Sequence, residues 1–404
     1  MKFKTINILV IFAIILRIVL SVITYHSDLG AFALAGKYIV GENKWLSFYD
    51  TIASKNNNGI LEVHRNDMVF NYQPLAYLIP SVIYLPFKSI INQTGDRLIN
   101  KEWINSTSQT FNLILLLYKL PMILADLGIL WLLPKFFKKY KNKIIVSLLW
   151  AFNPVAIYVS SMMGQVDIII ALFILISLYF AKKQKIYYAS IFVALSALIK
   201  PIGLILIPIY AIYYYKINKK IIKSILVLFS GLFTYIIGIF PYISSASYRH
   251  YALFAEQINK STFASISIAS GHEIPFFFIA LMLIIIYFWS NKINLTQTLM
   301  AVLLSSLAFT HFHPQWLVWI MPIFVIISIK INDYFIYLIS IMCWFLVLFN
   351  FDSTLHLQMF LHSQIELPKI LTASNIFKDL VQVSRAGIVA ILIWLFTISF
   401  KKKC

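Results

Sequence analysis

Apolar residues run through this chain in long blocks, separated by short polar turns, rather than alternating or marking one face of an amphipathic helix. The blocks fall at about 6–24, 111–134, 144–161, 166–181, 186–199, 202–215, 222–240, 274–290, 297–310, 315–329, 334–350 and 386–400. A hydrocarbon core about 30 Å thick calls for roughly 20 apolar residues as a helix, and lipid offers no partner for open backbone groups, so each block predicts a helix. The pattern predicts an all-α polytopic membrane protein of about 12 spans, between 11 and 13 by length and charge, in one domain covering 1–404. A further run, Gln73–Ile91, carries Pro74, Pro80 and Pro86. Prolines interrupt a straight helix, so this run is expected as a re-entrant or interfacial helix inside a long first external loop, 25–110.

Charge assigns the sides. Lysines cluster between blocks: Lys135, Lys138, Lys139, Lys141 and Lys143; Lys182, Lys183 and Lys185; Lys216, Lys219, Lys220 and Lys223; Lys401, Lys402 and Lys403. Under the positive-inside rule these lie in the cytoplasm. Lys2 and Lys4 put the N-terminus there too, and strict alternation then places every cluster after residue 130 on the inner side, with the C-terminus also inside. The start resembles a signal peptide but lacks a small-residue cleavage site and is followed by many spans, so it reads as an uncleaved first helix. The outer face then gathers the first loop, the turn Gly164-Gln165-Val166-Asp167, the Lys200-Pro201 turn, the loop 241–273, the turn His311-Phe312-His313-Pro314-Gln315, and a late loop 351–385.

Composition agrees. Hydrophobic residues make up 60% and charged residues 12% of 404, and mean hydropathy is +0.82. That is about half the usual 25% share of charge in a soluble domain. The net charge of +19 is spent on loop clusters, which argues against a nucleic-acid partner. Cys343 lies in an apolar block and Cys404 is the last residue; neither has metal-ligand spacing. There is no internal repeat, phosphate-binding glycine loop or zinc-protease motif.

Only 15 residues are acidic, so an acid beside an apolar block is informative, since burying one is expensive. Asp28 follows the first helix and suits either a base at the membrane surface or a cap on the helix beginning at Leu29. Asp167 opens a fully apolar block and suits a helix N-terminus or a cavity, with Gln165 beside it. Asp126 lies mid-block, seven residues after Lys119 on the same face, which predicts an ion pair or cavity-lining pair between them, with a direct substrate role as the alternative. Lys200 stands on the outer side, where lysine is disfavoured, and suits an anionic ligand such as a phosphate or snorkelling to headgroups. His311 and His313 suit hydrogen bonding to a phosphate or sugar hydroxyl, or, with Trp316 and Trp319, an interfacial belt. Arg249 and His250 add positive charge to the 241–273 loop. A divalent metal on Asp28, Asp167 and Glu62 is conceivable, but the sequence requires no cofactor. Asp352, His356, His362 and Glu366 mark the late loop.

In order along the chain, four short stretches carry a resemblance. They are Asp28 followed by Ala35-Gly36-Lys37-Tyr38, Gly41 and Phe48-Tyr49; Tyr72-Gln73-Pro74-Leu75; Phe152-Asn153-Pro154 with Gly164-Gln165-Val166-Asp167; and Leu198-Ile199-Lys200-Pro201-Ile202-Gly203-Leu204. Together with His313-Pro314-Gln315-Trp316 they resemble the GT-C class of membrane glycosyltransferases, in particular prokaryotic relatives of the mannosyltransferases of GPI-anchor assembly. Gln73 stands where the family box has its first proline, and Met163 where another has tryptophan. The resemblance implies transfer of a sugar, mannose or another hexose, from a polyprenyl-phosphate-linked donor to a glycan or lipid-linked acceptor outside the cell membrane. It implies Asp28 as the catalytic residue; by their own chemistry Lys200, His311, His313, Gln165, Asp167, Arg249 and Tyr72 are the candidates for holding donor phosphate or sugar. A polysaccharide polymerase or ligase using lipid-linked substrates, or a lipid or solute transporter, would share the outward face and the membrane lipids.

Overall fold

The computed structural model describes residues 3–54, 70–99, 109–255, 262–268, 271–351, 353–361 and 375–401. The described chain is helical apart from one small hairpin. Its helices are α1 (Phe3–Ile23), α2 (Asp28–Gly36), α3 (Phe48–Ser54), α4 (Leu75–Ser81), α5 (Tyr84–Ile99), α6 (Gln109–Leu132), α7 (Tyr140–Ala151), α8 (Pro154–Ile157) and α9 (Asp167–Lys182). They continue as α10 (Ile186–Ala197), α11 (Ile202–Asn218), α12 (Ile221–Ile239), α13 (Ala246–Tyr248), α14 (Phe276–Trp289), α15 (Leu295–Phe309), α16 (Met321–Ile331), α17 (Phe335–Leu348) and α18 (Asn375–Lys401). Strands β1 (Ser265–Ser267) and β2 (Glu273–Pro275) pair antiparallel, Ile266 opposite Ile274.

Each of the twelve apolar blocks is helical. By length and apolarity three described helices can cross a bilayer, at Gln109–Phe136, Ile221–Tyr242 and Asp379–Thr397, or four if a bent pair forms one span. The others are shorter apolar helices. The outward faces of the helices suit lipid rather than water: Phe229, Phe233, Ile236 and Ile237 of α12 are exposed, more apolar surface than a soluble chain leaves uncovered.

Several boundaries differ from the sequence reading. Block 144–161 is not one straight helix. Asn153 accepts a hydrogen bond from Ala156 N at 2.9 Å and Pro154 takes the first helical position, so a new helix starts there and the two halves bend by 46°. Block 315–329 begins as a tight 3-10 turn, Pro314–Trp319, and is α-helical only from Met321. Run 73–91 is two short helices, α4 and α5, the second kinked at Phe87. The late loop 351–385 is shorter than expected: α18 already begins at Asn375, and 353–361 lies against the end of α1, where Tyr25 N donates to Met359 O at 2.8 Å and Leu361 N to Ile23 O at 2.9 Å. Glu62, Asp352, His362 and Glu366 lie outside the described residues.

Close packing fixes the helix layers. Gly203 opens α11 where a Cβ would sit 2.5 Å from Val193 O, so a hydrogen there lets α10 and α11 meet backbone to backbone. Inside the bundle, Arg17 of α1 donates to Asp126 of α6 through Nε at 2.7 Å, and to Ala151 O at 2.8 Å. Trp150 Nε1 and Ser160 Oγ complete the carboxylate at 2.8 and 2.7 Å. Asp126 therefore pairs with Arg17 and not with Lys119, correcting the pairing read from helical spacing. Lys119 and Asp126 share a helix, but Lys119 turns to the end of α1, giving its protons to Ser21 O, Thr24 O and Thr24 Oγ1 at 3.0, 2.6 and 3.0 Å. It is the buried lysine, among the described residues, that has no carboxylate beside it.

Helix α9 shows how the ends are distributed. It opens on Asp167 and closes on Lys182, whose ammonium reaches Phe136 O at 2.8 Å. The lysine turns thus gather at one end of the bundle and the turns after α1, before α9 and before α11 gather at the other.

Candidate functional site

The end opposite the lysine turns collects polar side chains from distant parts of the chain. Helix α1 closes in the turn Thr24–Ser27, held by Lys119. Asp28 then opens α2, but Ser27 holds the cap position and no side-chain cap bond forms, so the capping role proposed from sequence is not taken up. The carboxylate instead accepts a hydrogen bond from Gln165 Nε2 at 2.5 Å. His26 Nδ1 lies 3.7 Å from its other oxygen and 3.3 Å from its backbone nitrogen. Asp28 keeps 37% of its side chain exposed, whereas Gln165 is fully buried and its Oε1 has no partner.

Gln165 reaches Asp28 because Gly164 takes the left-handed region at φ +71°. A Cβ there would lie 2.7 Å from Lys119 Cγ and 2.9 Å from Leu29 Cδ2. Glycine supplies the conformation and the space at once. Lys119 thus touches both halves of the Asp28–Gln165 contact, through its ammonium on the α1 side and its stem on the Gly164 side.

Two residues further on, Asp167 binds Lys200 through both oxygens at 2.8 Å. Trp319 Nε1 donates to the same carboxylate at 2.8 Å. The Lys200 ammonium also faces three rings, with centroids at 4.6 Å for Tyr72, 5.6 Å for Trp316 and 5.8 Å for Trp319, a cation–π box. Tyr72 is carried there by backbone bonds of its own stretch to the turn before α11: Gln73 N to Ile199 O at 3.3 Å and Leu75 N to Leu198 O at 2.9 Å. Burial and the nearby Asp28 and Asp167 charges push the Tyr72 hydroxyl pKa well up, so it remains a neutral donor.

His313 completes the group. It hydrogen-bonds Gln315 Oε1 through Nδ1 and packs on Phe351, centroids 5.0 Å apart. Burial pushes its pKa down to about 4, helped by Lys200 and His26 and opposed by the Gln315 bond and Asp28. The ring is therefore neutral at pH 7. With Nδ1–H given to the amide oxygen, Nε2 carries the lone pair, so this nitrogen can accept a hydrogen bond but has none to donate. His311 stacks edge-on to Trp316 at 6.2 Å and Phe263 at 6.3 Å.

The sequence candidates therefore divide. Asp28, Gln165, Asp167, Lys200, Tyr72, His311 and His313 meet at one end of the bundle. Arg249 does not join them among the described contacts: it is exposed and donates to Ile243 O and Ser244 O at 2.7 and 2.9 Å, beside Asp50. Among the described residues no three His, Cys, Asp or Glu side chains are grouped to hold a metal ion. Sequence reasoning missed His26 and Arg17. The signal for Arg17 was there, a charge in the middle of an apolar block. Lys119 was noticed but assigned the wrong partner.

No known protein family matches this chain, and neither does any curated protein or solved structure.

Proposed function

We propose that this protein is a membrane-embedded hexosyltransferase of GT-C type, moving a sugar such as mannose from a polyprenyl-phosphate donor to an acceptor hydroxyl at the extracytoplasmic face of the cell membrane. The carrying observation is a half-exposed carboxylate, Asp28, held by a buried amide from a remote turn, beside a lysine set in an aromatic box.

The chemistry needs few parts. Asp28 accepts the proton of the acceptor hydroxyl as its oxygen forms a bond to the anomeric carbon. The bond from that carbon to the phosphate oxygen breaks, and the electron pair leaves with polyprenyl phosphate. That leaving group is a stable anion, so no general acid is required. One displacement with one base inverts the anomeric centre. Trp316 and Tyr72 offer flat apolar faces to a sugar ring, and His313 Nε2 offers an acceptor for its hydroxyls. Lys200 is already paired with Asp167, so a donor phosphate shares that ammonium with a carboxylate.

The test is sugar transfer in membranes containing the full chain, supplied with a polyprenyl-phosphate hexose. Asp28→Asn is expected to abolish transfer while the protein still inserts. Undiminished transfer by that variant rejects the reading.

A further inference from the structure

The lysine-bearing end holds a feature that sugar transfer does not use. Between α11, α12 and α14 lies a cavity of about 400 Å3, lined by residues including Pro208, Ala211, Tyr215, Ser224, Leu228 and Trp289. The Ser224 hydroxyl is turned onto Ala211 O at 2.5 Å, so the walls present mostly carbon. Tyr215 and Trp289 stack as one flat side, centroids 5.8 Å apart and planes 9° from parallel.

A cationic rim adjoins this cavity. The Lys219 ammonium lies 5.7 Å from the centre of the Tyr215 ring. Lys220 and Lys223 follow in the same turn, and all three are exposed. Lys216 is spent on Phe288 O. The sequence holds no Asp or Glu from 168 to 255, nor from 274 to 332, so the helices framing the cavity carry no carboxylate that could neutralise these lysines. An apolar slot alone takes any hydrocarbon chain; a slot rimmed by uncompensated cations selects a chain whose head is anionic.

We propose that this cavity is a binding site for one anionic phospholipid, with an acyl chain lying against Tyr215 and Trp289 and the phosphate meeting Lys219, Lys220 and Lys223. The site stands at the opposite end of the bundle from Asp28, so its occupant is distinct from a sugar donor bound there.

The test uses the full chain purified in detergent, exchanged into phosphatidylglycerol or phosphatidylcholine, then delipidated and examined by native mass spectrometry. One phosphatidylglycerol per chain is expected to survive, and phosphatidylcholine to wash out. Ala211→Phe, which fills the slot, and the triple variant Lys219→Ser, Lys220→Ser, Lys223→Ser are both expected to lose the lipid, with roughly fivefold weaker retention per lysine removed. The triple variant changes only exposed positions, so it reads binding even where the cavity variant fails to fold. Equal retention of the two lipids, or unchanged retention in the triple variant, overturns the proposal.

Discussion

Gln165 Nε2 and the Asp28 carboxylate, 137 residues apart in sequence, meet at 2.5 Å. The contact joins the turn after α1 to the turn before α9, and it orients the carboxylate proposed to take the acceptor proton. A hydrogen bond to a charged group contributes about 1.5–3 kcal/mol. Gln165→Leu is therefore expected to lower kcat by roughly 10–150-fold. Asp28→Asn is expected to cost at least 100-fold, the low end for loss of a general base. Rates in reconstituted vesicles check both. A Gln165→Leu variant as fast as wild type separates the contact from the proposed transfer.

Gly164→Ala probes the same contact through the backbone. The new Cβ must enter the space of Lys119 Cγ and Leu29 Cδ2 at a φ of +71°, a conformation that costs a non-glycine residue roughly 1–2 kcal/mol before any clash. The expected outcome is loss of transfer larger than that of a substitution at exposed Arg249, together with a lower unfolding temperature. Wild-type activity in Gly164→Ala counts against the tight turn.

The Arg17–Asp126 pair predicts a stability pattern. Both side chains are fully buried. Removing one partner leaves an uncompensated charge, worth about 3–5 kcal/mol, whereas replacing both with apolar residues is often close to neutral. Arg17→Leu and Asp126→Leu are each expected to be strongly destabilised, and the double variant to recover most of the loss. Thermal unfolding in detergent measures the cycle, and simple additivity of the two single losses contradicts the pairing.

His313 predicts the pH dependence. Its pKa in the fold is pushed down to about 4 from an ordinary 6.5, so between those values the unfolded chain binds the proton and the folded one does not. The stability of the neutral ring is fully present above 6.5 and lost as pH falls from 6.5 towards 4, up to roughly 3 kcal/mol. His26, pushed down by burial against the pull of Asp28, acts in the same direction. His313→Asn is expected to flatten the acid limb of a stability-against-pH curve without abolishing it. A curve identical to wild type removes His313 as its source.

The linear sequence determined where the helices lie, because hydrocarbon burial depends on local composition, and blocks such as 166–181 and 222–240 match α9 and α12 within a residue or two. It also marked the polar turns that meet, since a charge or amide at the edge of an apolar block is costly unless used. Tertiary structure alone decided the partners. Helical spacing offered Lys119 to Asp126, yet Arg17 from another helix, 109 residues away, reaches that carboxylate and leaves Lys119 to the carbonyls of α1. Likewise no local rule joined Asp28 to Gln165 or seated Lys200 under Tyr72. Periodicity reports which face of a helix a residue occupies. Which helix stands opposite that face is set by packing of the whole bundle, and a buried charge takes the partner that packing delivers.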